Sequence, residues 1–315
     1  MGVIGFLMDD STNPGGGVDL SLVSTFLAVY RAGSLTGAAP QLGLSQPTVT
    51  AQIKTLEAQL GQQLFERGPR GVAPTMAADE LAGQVALHID ALTAATQRSI
   101  AGDSPFKSSV HLGGPAEMTA MRALPSLAPL VNQGLRLRVT LGLAEDLLAG
   151  LPTGRYDIVV STIRPRGASL VGEPLFEEEF VLVAAPSTAT RIDQRRLADD
   201  PACALSGLPL IAYAEHLPII RRYWRQVFGQ RPAQNIAVVV PDLRAVLAIV
   251  AAGAGASVLP HYLCAPELKN GDLVSLITPE AAPTNTVFLV TRSGATAFPH
   301  IAAVRERLLD EARTW

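Results

Sequence analysis

The stretch "SLTGAAPQLGLSQPTVTAQIKTLEAQLG" spans Ser34 to Gly61 and holds two short helical patterns divided by a turn at Gly43. Ser34 and Ser45 stand where a helix start needs a side-chain oxygen for its orphan N–H groups. Pro47 falls in the first turn of the second helix, where a missing N–H costs little. Val49, Ile53, Leu56 and Leu60 recur within a narrow arc at helical spacing and define one apolar stripe. Pro47, Thr48, Ala51, Lys54 and Thr55 lie broadly opposite, short and mostly uncharged. A helix face turned to water usually carries more charge, so this face reads as built to lie against something flat, polar and specific. Pro40, inside the first of the two helices, removes a hydrogen bond and costs about 3 kcal/mol unless the helix bends. With Gly37 beside it, the first helix is predicted to be short or kinked.

Upstream, Asp19 is placed to cap a helix running to about Arg31, with Leu20, Val23, Leu27 and Tyr30 at helical spacing and Gly33 ending it. Residues 1–18 carry an Asp-Asp pair, a Pro and three consecutive Gly, the composition of a flexible tail. Its short apolar run lacks the basic residues of a secretion signal. Downstream, "QQLFERGPRGVAPT" puts Leu64 and Phe65 in the core, then a Gly/Pro-rich hairpin bearing Arg67 and Arg70, a small β-wing. From Thr75 to about Ile100 a long helix is expected. Leu81, Val85, His88, Leu92, Ala95 and Ser99 alternate there at four and three residues, a seam suited to pairing with another helix. His88 reads as a packed residue of that seam rather than a ligand. "AGDSPFKSS" then reads as a hinge.

Beyond the hinge the texture becomes α/β. Strands are predicted at 110–114, 137–141, 157–161, 180–185, 208–213, 235–240, 256–260 and 286–291, separated by helical patterns around 116–131, 217–228, 242–252 and 298–312. Such alternation predicts largely parallel sheets. Two Pro-containing stretches, near Ala185–Ser187 and Pro279–Pro283, are candidate crossovers between two lobes.

The bulk numbers are permissive. The 315 residues, 48% apolar and 17% charged, suffice for two or three domains with their own cores. A net charge of −3 means that any nucleic-acid partner must be met by local positive charge or by specific contacts. Cys203 and Cys264 stand far apart with no metal-ligand spacing, which fits a reducing, cytoplasmic compartment; they read as small hydrophobes, with a redox pairing as the alternative. Nothing approaches the roughly 20 apolar residues of a membrane span. The five histidines show no metal spacing, no nucleophile elbow or phosphate loop is present, and "GAGAS" at 253–257 follows a helix rather than opening one, so it reads as a helix end. These observations weigh against an enzyme.

The run from Phe26 to Thr75 closely resembles the winged helix-turn-helix of LysR-type transcriptional regulators. Its matching pieces come in order: Ala38-Ala39, Leu42, Ser45-Gln46-Pro47, Ile53, Leu56-Glu57, Leu60-Gly61, Leu64-Phe65, Arg67, Arg70 and Thr75. "GRYDIVVS" and "VAAGAGASVLP" later in the chain resemble that family's effector domain. Two departures are Pro40 and Ala78, the latter where the family often has Gly. The resemblance implies four regions: a flexible tail (1–18), a winged helix-turn-helix (19–78), a dimerisation helix with hinge (79–103), and a two-lobed effector domain resembling periplasmic binding proteins (104–315). Lobe I would hold about 104–185 and 284–315, and lobe II about 186–283.

The implied function is a cytoplasmic bacterial regulator, not an enzyme. It would bind double-stranded promoter DNA and a small-molecule effector, form homodimers and commonly homotetramers, have RNA polymerase as a further partner, and need no cofactor or metal. By the family's pattern Gln46, Pro47, Thr48 and Ala51 would face bases in the major groove. Ser34, Thr50, Gln52, Lys54, Arg67 and Arg70 would contact phosphates or, from the wing, the minor groove. From Asp19 through Thr75 there are four basic residues (Arg31, Lys54, Arg67, Arg70) against three acidic ones (Asp19, Glu57, Glu66), so a single module is expected to bind weakly and a dimer to compensate. The effector cleft would be lined by Gly114, Pro115, Ala116 and Glu117 in one loop, and by Leu143, Ala144 and Glu145 in the next. Ile163 and Arg164, Tyr213 and Ala214, and Pro241 and Asp242 would complete it. Many relatives hold a carboxylate there with hydroxyls; this chain has Gly, Pro and Ala, two opposing glutamates and one helpful arginine, which leaves the effector's charge open. A solute-binding protein without a DNA role is the alternative reading of the α/β region. It would predict a secretion signal or lipid-anchored cysteine, and neither is visible.

Overall fold

The computed structural model describes residues 19–68, 71–100, 106, 109–232 and 235–315, except the side chains of 67, 94 and 96–100. The expected tail (1–18), Arg70, most of the hinge and the side chains of Arg67 and Ser99 therefore lie outside the described residues. The chain divides into two compact units, 1–101 and 102–315.

In the first unit three helices, α1 (Leu20–Ala32), α2 (Leu35–Leu42) and α3 (Gln46–Leu60), precede a hairpin of β1 (Phe65–Gly68) and β2 (Gly71–Pro74) and then α4 (Met76–Ile100). The caps fall where the sequence puts them. Asp19 accepts from the Ser21 N–H at 2.8 Å, Ser34 from Gly37 at 2.9 Å and Ser45 from Thr48 at 3.3 Å. α2 is short, as Pro40 predicts: it ends at Leu42 and is closed by Gly43 in the left-handed region. Phe26, Leu27, Val29, Val49, Ile53, Leu56 and Leu64 are buried together, and each large side chain so removed from water contributes about 1.5–3 kcal/mol. Glu57 clamps the turn after α3 by accepting from the N–H groups of Leu64 and Phe65, at 2.8 and 3.2 Å. At Gly71, φ is +138° and an added Cβ would lie 2.5 Å from the carbonyl oxygen of Gly33, so the wing approaches α1 too closely for a side chain.

The face of α4 that packs within this unit is not the predicted seam. Ala78, Ala82, Ala86 and Ile89 are buried against the helical core. Leu81 and Val85 are half-buried, while His88, Ala95 and Leu92 (52% exposed) face outward. His88 is thus not packed within its own chain, and the seam is left on the outside, where the pairing with another helix expected of it would take place. The alanines permit close helix approach, which leaves the bulkier stripe on the flank. Polar contacts fix this packing: Arg31 donates twice to Asp90, both at 2.8 Å, and the Tyr30 hydroxyl donates to Asp79 at 2.6 Å.

The second unit is one sheet path with strands in the order β4-β3-β5-β11-β6-β9-β7-β8, and β10 beside β6. The strands are β3 (Ser109–Gly114), β4 (Arg136–Leu141), β5 (Ile158–Ser161), β6 (Leu170–Ala184), β7 (Leu210–Ala212), β8 (Ile236–Val239), β9 (Ala256–Pro260), β10 (Val274–Ser275) and β11 (Thr284–Arg292). Ala116–Met118, a π-wound turn Thr119–Ala123 and Leu124–Asn132 run on as one helix, α5. The other principal helices are α6 (Ala144–Ala149), α7 (Pro218–Phe228), α8 (Leu243–Ala251), α9 (His261–Asn270) and α10 (Pro299–Ala312). Gly253, at φ +87°, leads from α8 toward β9, so "GAGAS" is the helix end expected.

Three expectations need correction. β6 is not confined to 180–185; it starts at Leu170. Pro174 and the run Glu177-Glu178-Glu179 concealed its first part, which is tolerated because it pairs antiparallel with β11. Its last part, Phe180–Ala184, pairs instead with β9. The chain therefore passes from lobe I to lobe II at Glu179–Phe180, not near Ala185–Ser187, and the segment 180–184 belongs to lobe II. The return is at Pro283, whose carbonyl accepts from the Phe180 N–H at 2.9 Å. Finally, the sheets are mixed: β3/β4, β3/β5, β7/β8 and β7/β9 are parallel, but β5/β11, β11/β6 and β6/β9 are antiparallel.

Candidate nucleic-acid interface and ligand cleft

On α3 the buried stripe Val49, Ile53 and Leu56 fixes the helix, and Gln46, Pro47, Thr48, Ala51, Lys54 and Thr55 stand exposed on the other side. Lys54 is the one formal charge among those six. The polar groups are held by local bonds. Gln46 Nε2 donates to Thr50 Oγ1 at 3.0 Å, the Thr50 hydroxyl to the Gln46 carbonyl at 3.0 Å, and the Thr55 hydroxyl to the Ala51 carbonyl at 3.0 Å. Thr48 Oγ1 and Ser45 Oγ are 2.8 Å apart. Gln52 differs from its neighbours: it is half-buried, and its side-chain oxygen accepts from the Thr25 hydroxyl at 2.5 Å. That oxygen is tied to α1, so only the Gln52 amide is left for another partner. Ser34, half-buried, spends its oxygen on capping α2.

In the second unit a cleft of about 430 Å³ opens between the lobes. Pro115, Ala116 and Glu117 from the start of α5 line it, with Leu143, Ala144 and Glu145 from the loop into α6. Ile163, Tyr213, Pro241 and Asp242 also reach it, as the sequence suggests. Gly114, Arg164 and Ala214 do not. Gly114 is buried in β3, where a Cβ would stand 2.5 Å from Thr119 Oγ1. Arg164 is exposed off the cleft, so the one cation expected to help an anionic ligand is not in place.

The sequence reading missed Glu178, Arg222 and Asn285, which also line the cleft. Glu178 and Asn285 sit on the crossover strands β6 and β11, and Arg222 on α7. Arg222 Nη1 donates to Asn285 Oδ1 in a short hydrogen bond. Asn285 Nδ2 in turn donates to Glu178 Oε1 at 3.1 Å and to the Thr162 carbonyl at 3.2 Å. Glu178 is 5% exposed and Glu117 7%. Burial pushes the Glu178 carboxyl up to about 7, opposed by the Asn285 hydrogen bond and reinforced by the charge of Glu117. Burial also raises Glu117, against the pull of its own backbone N–H. The Tyr213 phenol is raised by burial and by Glu117, Glu178 and Glu145. Asp242 moves the other way, held down by the Arg244 guanidinium, whose Nη2 is 2.6 Å from Asp242 Oδ2. Of the two cysteines, Cys264 is buried and its thiol is pushed up to about 12, which keeps it protonated and unreactive.

A winged helix-turn-helix followed by a two-lobed domain with a central cleft defines the class of ligand-responsive DNA-binding proteins. Comparison with known proteins gives the family. Residues 20–79 match the bacterial regulatory helix-turn-helix of the lysR family, and residues 104–313 match the LysR substrate binding domain. The HTH-type transcriptional regulator AbaB of Streptomyces antibioticus is 50% identical over 301 residues, covering 95% of this chain and all of that protein. The RuBisCO operon transcriptional regulator of Allochromatium vinosum is 27% identical over 94% of this chain and 97% of its own. Among solved structures, ArgP from Mycobacterium tuberculosis superposes with a TM-score of 0.72 at 22% identity, over 94% of this chain and 98% of that one. An OxyR variant from Pseudomonas aeruginosa gives 0.74 at 21% identity, over 95% of each chain. The chain belongs to the LysR family of transcriptional regulators. No helix among the described residues is long and apolar enough to cross a membrane.

Proposed function

We propose that α3 is the sequence-reading element of this regulator and that the interlobe cleft takes its effector. The observation that carries the first part is the outer face of α3. Gln46, Pro47, Thr48 and Ala51 are exposed, small or neutral, and mounted on a buried stripe that prevents the helix from rotating. A major groove admits a helix, short neutral side chains let its backbone come close, and glutamine can pair bidentately with adenine while Ala, Pro and a threonine methyl suit the thymine methyl group. Thr50, Lys54 and the Gln52 amide flank that face and are assigned to the phosphates, with Ser34 at the start of α2; Arg67 and Arg70 are assigned the phosphate or minor-groove contacts expected from the sequence. One such module neutralises few phosphates, so useful affinity requires two or more copies of the chain on one DNA.

The test is a mobility-shift titration of the full chain against duplexes selected from a random-sequence library, at several salt concentrations. A selected duplex is expected to bind at least a thousandfold tighter than random DNA at the same salt. It should bear two related half-sites, and the complex should contain an even number of protein chains. Failure to select any sequence, or a complex with a single chain, contradicts the reading.

A further inference from the structure

We propose that the effector is an organic cation, an amine or amidine carrying an apolar body, with its charged nitrogen seated between the carboxylates of Glu117 and Glu178. This assignment rests on the reading of the cleft as the effector site and gives that site its chemistry.

Three observations converge. First, both carboxylates line the cleft and are almost fully buried, yet among the described residues neither is in a direct ion pair, and Arg222 and Arg244 act on them only through space. Arg222 directs its Nη1 to Asn285 Oδ1 and the Thr284 carbonyl rather than to either carboxylate. Arg244 is spent on Asp242, and Arg122 lies over the Tyr262 ring, 5.3 Å from its centroid. Among the described residues no side chain donates to the Glu117 carboxylate, and only the neutral Asn285 amide donates to that of Glu178. A buried carboxylate without a counter-charge is costly, and the cost is recovered when a cation enters. Second, Glu117 stands in the first turn of α5, so its negative charge sits where an anion would otherwise meet the helix start and opposes it. Third, the same cleft has an apolar part, with Leu141, Leu143, Ile163, Phe180 and Ile219 among its lining. Its volume of about 430 Å³ suits a metabolite-sized body rather than a bare metal ion.

The charges facing the pair fix the expected pH response. Glu178 faces Glu117, Glu177, Arg222 and the phenols of Tyr213 and Tyr262; Glu117 faces Asp242 and Arg244 as well, and His216 lines the same cleft. A cation selects the ionised form of Glu178, so it binds better as that carboxyl loses its proton and it expels the proton where any remains.

The experiment uses the full chain and three probes that share one apolar body: 2-phenylethylamine, 2-phenylethanol and phenylacetate. Calorimetry is expected to show the amine bound at least about tenfold tighter than the alcohol, and phenylacetate not bound. Amine affinity should rise between about pH 6 and pH 8, with proton release read from the buffer dependence of the heat. Glu178→Gln and Glu117→Gln, both close in shape to the native residue, should each remove the preference for amine over alcohol. Equal binding of amine and alcohol, tighter binding of phenylacetate, no binding of the amine up to its solubility limit, or a preference that survives both substitutions would each overturn the proposal. Ile163→Trp, which fills the cleft wall, separates this failure from failure of the site itself. If that change abolishes binding while phenylacetate is the preferred probe, the cleft reading stands and the cation assignment falls. If a bound probe is indifferent to Ile163→Trp, the cleft is not the site.

Discussion

The outer face of α3 and the floor of the interlobe cleft solve opposite problems. On α3 the groups proposed to read bases are neutral and exposed, with local bonds at the helix start such as Gln46 with Thr50 and Ser45 with Thr48. In the cleft they are ionisable, buried and held by residues far away in the chain: Glu178 through Asn285 to Arg222. The first surface can be kept in water at little cost, because no charge has been taken out of it. The second stores an unfavourable state, a pair of carboxylates in a poorly hydrated site, which a ligand of the right charge relieves. A reader of base edges benefits from a rigid face that is stable whether or not it is occupied. A sensor benefits from a site whose energy changes when it is filled.

The contrast can be broken from either side. The largest effect is expected where the α3 face meets its support. Leu56 is fully buried, and Leu56→Ala should destabilise the N-terminal unit by about 2–5 kcal/mol. Urea denaturation should register the loss, together with weaker DNA binding at all sequences; a loss confined to one base position would mean Leu56 is not merely support. In the cleft, the Glu178 carboxyl rises from 4.5 to about 7 on folding, worth roughly 3 kcal/mol. Because the folded value is the higher one, the fold holds the proton more tightly than the unfolded chain does. The favourable contribution is full below about pH 4.5 and lost as pH rises through about 7. Glu178→Gln, which keeps a neutral group at every pH, should therefore leave stability unchanged near pH 4.5 and raise it by up to roughly 3 kcal/mol at pH 8. Equal stability of the two proteins at pH 8 would show that the carboxylate is not under strain. The smallest effect is the cap of α3: Ser45→Ala removes the oxygen that accepts from Thr48 and should cost about 1 kcal/mol, seen as a small shift in the denaturation midpoint.

The two regions also differ in how far a reader of the sequence can go. The α3 face lies in one continuous segment, with caps, a Pro in the first turn, an apolar stripe and a terminal Gly, so helix, boundaries and exposed side all follow from local rules. α4 has two faces to account for. Periodicity picks out the bulky stripe through Leu81, Val85 and His88, whereas the face that packs within the chain is made of the small residues Ala78, Ala82 and Ala86, which allow a closer approach. The cleft is harder. The loops carrying Glu117, Glu145 and Asp242 are recognisable as strand-to-helix connections, whereas Glu178 lies in a Glu run that argues against a strand at all. Its role depends on β6 continuing past Pro174 and on β11 lying alongside, which brings Asn285 opposite Glu178 in register. Nothing local to Arg222 links it to either. Ile163 and Arg164 are both expected in the cleft from the family resemblance, but consecutive side chains turn in different directions and only Ile163 reaches it.

The most direct test of the account is the base preference of one side chain. Gln46→Ala should be measured against the selected duplex and against the full set of its single base-pair variants, at fixed salt. The account predicts that discrimination falls by about 1–3 kcal/mol at one position in each half-site, with the remaining positions and the binding of random DNA unchanged. A uniform loss across all variants, or no change at any position, would contradict the claim that the exposed start of α3 reads the DNA.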